Sequence, residues 1–283
     1  MRSEVLHSRD GVALALHHFG GEGTTALFVH GTSFHAHVLA PVAGALPSTR
    51  SFGLDLRGHG ASSRPVDGGF AWTSLGDDLD AALDVLELLS PGPVLGVGHS
   101  AGATALLLAA GRRPQRFEAL YCYEPIALND AVRARVALPA ELAGAARRRA
   151  DFSSKAEALT YFAARPPLSS FDPEVLEQYV EHGFLDGDDG RVHLACAPAY
   201  EASIYVAGYE ADLLEELTRA DCPATIAYGA TSTGIGPACA PLVAEALPHG
   251  QLVRLEGLSH LGPLEDPERV AKSIITAFDT PAA

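Results

Sequence analysis

Short apolar runs alternate with segments of helical period along most of this chain, the pattern of a mainly parallel sheet covered by helices. Residues 3–18 predict an antiparallel pair turned at Asp10-Gly11, a dipeptide suited to a tight hairpin. Ala26–Val29 predicts a buried strand ending at His30-Gly31, and Ser51–Leu56 the next, stopped by Arg57-Gly58-His59-Gly60. From Ser74 to Leu89, leucines 75, 79, 83, 86 and 89 recur on one helical face. Val94–Val97 is short and apolar on both faces, which makes it a central strand. A helix over 101–110 and a strand over Ala119–Tyr123, ended by Pro125, follow.

Beyond Pro125 the strand pattern lapses until about residue 220. Helices are expected over 131–149, 153–164, 173–182 and 208–219, with Phe162, Phe171, Tyr179 and Phe184 scattered among them. The alternation then resumes with a strand over Ala224–Tyr228, a helix over 237–246, a strand over Gln251–Leu255 and a last helix over 267–279. The fold class expected is α/β, a mostly parallel doubly wound sheet. Residues 1–126 and 220–283 form its core, and residues 127–219 an inserted helical lid.

Composition narrows the partners. A net charge of −15 over 283 residues argues against nucleic acid and anionic membrane, both of which attract basic surfaces. With 47% apolar and 19% charged residues the chain can bury a core, and disorder is excluded. The four cysteines, Cys122, Cys196, Cys222 and Cys239, show no C-x-x-C spacing, so buried thiols of a reducing compartment are expected rather than a zinc or redox site. No apolar run is long enough for a membrane span or a signal h-region. The expectation is a cytoplasmic monomer or homodimer acting on a small molecule without metal or cofactor. Asp186–Gly190 faintly suggests a calcium loop but lacks the remaining ligand positions, so a solvated turn is expected.

The chemistry gathers at strand ends. Gly98-His99-Ser100-Ala101-Gly102 matches G-x-S-x-G, directly after a buried strand and directly before an Ala-rich helix. In that context the small flanking residues permit a strained turn that exposes the serine hydroxyl. His30-Gly31-Thr32-Ser33 stands where an oxyanion hole is needed, and a glycine there lets the backbone approach closely. The two N–H donors are assigned to Thr32 and Ala101. The Thr32 and Ser33 hydroxyls either assist or cap the next helix, and His30 braces the loop. His260, in Gly257-Leu258-Ser259-His260 after a late strand, is the expected general base. Ser33 and His99 beside the elbow, with Phe162 and Tyr179 of the lid, are the expected substrate contacts.

These segments, with Asp55-Leu56-Arg57-Gly58-His59-Gly60-Ala61-Ser62, resemble the α/β-hydrolase superfamily with a cap domain. The resemblance covers both core segments and implies a cofactor-free serine hydrolase, with Ser100 as nucleophile and His260 as base. One departure stands out. Family members commonly carry the triad acid in a G-x-x-D pattern after the strand here at 224–228, where this chain has Gly229-Ala230-Thr231-Ser232. The family's order of nucleophile, acid and base confines the search to carboxylates between Ser100 and His260. Glu124, closing the strand after the elbow, resembles an alternative acid position used by some members. It is either that acid or a residue that pairs with an arginine or braces the entrance to the lid. The expected activity is cleavage of a carboxylic ester, thioester or lactone of a medium-sized, largely apolar substrate. Carbon–carbon hydrolysis or perhydrolysis in the same site, and a non-catalytic ligand-binding protein on this fold, are the alternatives.

Overall fold

A computed structural model of the chain describes residues 2–66, 70–134 and 145–279. Strands β1 (Ser3–His7), β2 (Ala13–Gly20), β3 (Thr24–Val29), β4 (Thr49–Leu54), β5 (Val94–His99) and β6 (Phe117–Tyr123) are followed, after a long excursion, by β10 (Ala224–Gly229) and β11 (Gly250–Leu255). They form one eight-stranded sheet in the order β1-β2-β4-β3-β5-β6-β10-β11. Only β2 opposes its neighbours; every other pairing from β4 to β11 is parallel. Such a sheet must be covered on both faces. Along β3, Leu27 and Val29 join one apolar cluster and Ala26 and Phe28 the other, as a period of two requires.

The first cluster takes helices α1 (Ser74–Leu89) and α2 (Ala101–Arg112). The glycines of β5 explain why α2 lies so close: a Cβ on Gly98 would stand 2.6 Å from Ala103 Cα. The second cluster takes the turns at 36–44, the last helix of the chain, and the aromatic interior of the excursion.

That excursion, between β6 and β10, departs from expectation in two ways. It contains helices α3 (Lys155–Ala163), α4 (Pro173–Gly183) and α5 (Pro198–Glu210) and, beside them, a three-stranded antiparallel sheet of β7 (Asp151–Phe152), β8 (Phe184–Asp186) and β9 (Val192–Leu194) in the order β7-β9-β8. Strands of two or three residues carry no readable alternation, so the sequence showed none of them. The helix expected over 208–219 is instead α5, ten residues earlier at its start; Ala211 is extended, and only Leu214–Leu217 turns again. Helices α3 and α4 match expectation and are capped by Ser154 and Asp172. The helix expected over 131–149 lies largely outside the described residues, which show Asp130–Arg133 as one turn. Helices α6 (Ile235–Ala246) and α7 (Pro267–Asp279) complete the core. Strand β4 runs two residues earlier at each end than expected, because Asp55 and Leu56 already belong to the loop.

Candidate active site

Because β3, β5, β6, β10 and β11 run parallel, the loops that follow them emerge on one edge of the sheet. Ser100 sits between β5 and α2 with φ 53° and ψ −118°, a conformation that L residues rarely adopt. Its flanking glycines make the turn possible, for a Cβ on Gly102 would overlap the Val29 carbonyl oxygen. The Ser100 N–H donates to the Tyr123 carbonyl at 2.9 Å, tying the elbow to the end of β6. Ala101 opens α2, so its N–H has no acceptor within the helix. Among the described residues, the non-glycine positions with positive φ are Ser33, Ser48, Ser100 and Glu124. Three of these four are predicted site residues. Strain of roughly 1–3 kcal/mol per position is therefore concentrated where chemistry was expected.

Glu124 and His260 meet. The fully buried Glu124 carboxylate accepts from His260 Nδ1 at 2.6 Å through Oε2. Its other oxygen accepts from the Gly229 N–H at 2.9 Å. The hydroxyl of Ser232, the residue standing where the family's usual aspartate is absent, donates to Oε2 at 2.9 Å. With Nδ1 committed to the carboxylate, the His260 proton is assigned there and Nε2 is the basic nitrogen. Such a pair can hold the imidazole in one tautomer and stabilise an imidazolium.

The histidine loop is strapped from three sides. Tyr123 donates its hydroxyl to the Ser259 carbonyl at 2.6 Å, and His99 Nε2 donates to the His260 carbonyl at 2.8 Å. Glu265 accepts from both the Ser259 N–H, at 2.9 Å, and its hydroxyl, at 2.5 Å. Burial, with His260 alongside, holds the His99 imidazole neutral well below the ordinary histidine range. On the loop after β3, His30 Nδ1 donates to the Gly31 carbonyl at 2.7 Å while its Nε2 accepts the Leu56 N–H at 3.0 Å. Ser33 N–H donates to His59 Nε2 at 3.2 Å, and its hydroxyl donates to Glu201 of α5. Thr32, the expected donor before it, is buried.

The expected lid contacts occupy different places. Phe162 packs among Phe152, Tyr161, Tyr179 and Phe184, inside the excursion's own aromatic cluster. Tyr179 lies edge-on to Phe34 of the loop after β3, with ring centroids 6.0 Å apart. Phe171 approaches the same Phe34 at 5.9 Å. Two positions gave no usable sign in the sequence. Gly236 abuts the charge pair, since a Cβ there would overlap Glu124 Oε2 and stand 2.9 Å from His260 Nδ1. Glu201, fully buried, reaches Ser33 across 168 positions of chain. Among the described residues no group of three or more His, Cys, Asp or Glu is arranged to hold a metal ion. The four cysteines are buried, unbridged thiols.

Comparison with known proteins accords with this geometry. The alpha/beta hydrolase family profile matches residues 26–273. The chain belongs to the alpha/beta hydrolase family. Its sequence is 25% identical over 265 residues to a 2-(acetamidomethylene)succinate hydrolase of Mesorhizobium japonicum, covering 92% of this chain and 89% of that one. It is 28% identical over 181 residues to the lipase LipV of Mycobacterium tuberculosis, covering 64% of this chain and 65% of the lipase. The crystal structure of E-2-(acetamidomethylene)succinate hydrolase superposes with a TM-score of 0.79 at 22% identity, over 99% of this chain and all of that one. The thioesterase domain of the curacin biosynthetic pathway gives 0.72 at 21% identity, over 99% and 100%. This alpha/beta hydrolase is an enzyme that hydrolyses esters or related bonds. No helix among the described residues is long and apolar enough to cross a membrane.

Proposed function

We propose that the chain is a serine hydrolase with the triad Ser100, His260 and Glu124, cleaving carboxylic esters, thioesters or lactones through an acyl-enzyme. The observation that carries the reading is the 2.6 Å contact between His260 Nδ1 and a fully buried Glu124 carboxylate, on the sheet edge that also holds strained Ser100. In this mechanism His260 Nε2 takes the Ser100 proton as the hydroxyl oxygen attacks the carbonyl carbon. The tetrahedral oxyanion receives hydrogen bonds from the N–H groups of Thr32 and Ala101. The imidazolium then returns the proton to the leaving alcohol or thiol, and water, activated by the same base, releases the acid. The segment 127–219 acts as a lid over the core formed by 1–126 and 220–283. Its aromatic face toward Phe34 suits a medium-sized apolar acyl group.

A second reading concerns the acyl group. Likeness to the 2-(acetamidomethylene)succinate hydrolase over 92% of the chain supports a substrate bearing its own carboxylates. Comparing neutral p-nitrophenyl esters with half-esters of dicarboxylic acids separates the two. The test of the mechanism is labelling by a fluorophosphonate probe with peptide mapping. Ser100 is the expected adduct, and Ser100→Ala should lose both labelling and turnover, the latter by up to about 10⁶. Ester turnover near wild type in that variant overturns the mechanism.

A further inference from the structure

We propose that Glu201, carried on α5 of the lid, is a positioning residue for the oxyanion hole, holding the loop that presents the Thr32 amide. The inference rests on the reading of Thr32 as an oxyanion donor. Ser33, the next residue, is held at φ 81°, where an L side chain is disfavoured. Something must keep it there. From the core side, its N–H is bonded to His59 Nε2. From the lid side, its hydroxyl donates to Glu201 Oε1 and lies 2.9 Å from the Tyr205 hydroxyl. On the other flank of Thr32, Gly31 is pinned through its carbonyl by His30. The amide of Thr32 is thus fixed between two anchors, and one of them belongs to the lid.

Glu201 is costly to keep for stability alone. It is fully buried, and its charge is opposed by Arg148 Nη2 at 3.1 Å. Its second oxygen, Oε2, has no hydrogen-bond partner among the described residues. A buried ion pair seldom outweighs well-packed apolar side chains of similar volume, and an unsatisfied carboxylate oxygen raises its cost further. What the carboxylate does provide is an acceptor aimed at Ser33. With the lid seated, the oxyanion loop is braced; with the lid displaced, the loop loses half of its support. Chemistry is thereby coupled to lid seating, so an open site stabilises the tetrahedral oxyanion poorly.

The test is a double-mutant cycle on p-nitrophenyl ester hydrolysis with Ser33→Ala, Glu201→Ala and their combination. Affinity for a trifluoromethyl ketone, which mimics the tetrahedral intermediate, is measured in parallel. Each single variant should lower kcat by roughly 10–100-fold, less than the ~10²–10³ lost with an oxyanion donor itself, while KM changes less than about threefold. Ketone affinity should fall by the same factor as kcat, and the double variant should be no slower than the slower single. Glu201→Gln keeps an acceptor for Ser33 and should restore kcat to within about fivefold of wild type. Additive losses, a raised KM with kcat intact, or lost kcat without lost ketone affinity overturns the proposal. If Glu201→Ala does not fold, Ser33→Ala decides, since its kcat within twofold of wild type is equally fatal. Failure of the serine mechanism shows separately, as Ser100→Ala protein that still hydrolyses the ester.

Discussion

Acid should unfold this protein through a buried cluster of histidines that belongs to the scaffold. His30, His35, His37 and His59 are all buried around Asp55, and burial pushes each imidazole down, to about 3, 4, 3 and 4 respectively. The cluster joins the core to the excursion between β6 and β10: His37 stacks on His182 of α4 with ring centroids 3.7 Å apart, and His35 Nε2 donates to the Tyr179 carbonyl at 3.2 Å. Each group has a lower pKa folded than unfolded, so between about pH 6.5 and 4 the unfolded chain binds more protons. Stability is therefore full above 6.5 and lost as pH falls. At pH 5, about 1.5 units below the unfolded value, each histidine has given up roughly 2 kcal/mol, and the four together about 8 kcal/mol. That is comparable to the entire stability of an ordinary domain, about 5–15 kcal/mol. Urea unfolding followed by circular dichroism from pH 8 to 5, at constant ionic strength, reads this slope directly. Unfolding at pH 5 should be accompanied by uptake of nearly four protons by these groups. A stability at pH 5 within about 1 kcal/mol of that at pH 7.5 would refute the reasoning.

Two further predictions concern the charge pair. Glu124→Gln should lower kcat by roughly 10²–10⁴. Ser232→Ala, which leaves the bond from His260 Nδ1 in place, should change kcat far less, by about tenfold at most; equal losses in steady-state kinetics would contradict the assignment of Glu124. Gly236→Ala forces a methyl group against Glu124 Oε2 and His260 Nδ1 and should reduce kcat into the same range as Glu124→Gln. Wild-type kcat in that variant, with the imidazole proton resonance unchanged by NMR, would show that the pair tolerates the intrusion.

The parallel core was legible because its strands are buried on both faces and its helices on one, which leaves separate periods in the sequence. Ser74–Leu89 coincides with α1 because five leucines mark a single face. Glu124 could be singled out by chain order and by its place at a strand end. The excursion was less legible. In α5, Ala199, Tyr200, Ala202, Ile204, Tyr205 and Val206 are spread around the helix without an apolar stripe, and the buried Glu201 interrupts the inward side. The Pro198 start signal was present but had no periodicity to support it. Ser232 was seen only as a missing carboxylate. Its hydroxyl contact, and that of Glu201 with Ser33, join residues more than a hundred positions apart and exist only once the sheet edge has assembled.

Ser232 and Glu124 leave two strands yet converge on one imidazole nitrogen, directly in one case and through a shared oxygen in the other. The place of a carboxylate in such a site is therefore not a fixed address. Both strand ends therefore supply groups to one contact, and the proposed triad gathers its acid from the end of β6, a bracing hydroxyl from beyond β10 and its base from the loop after β11.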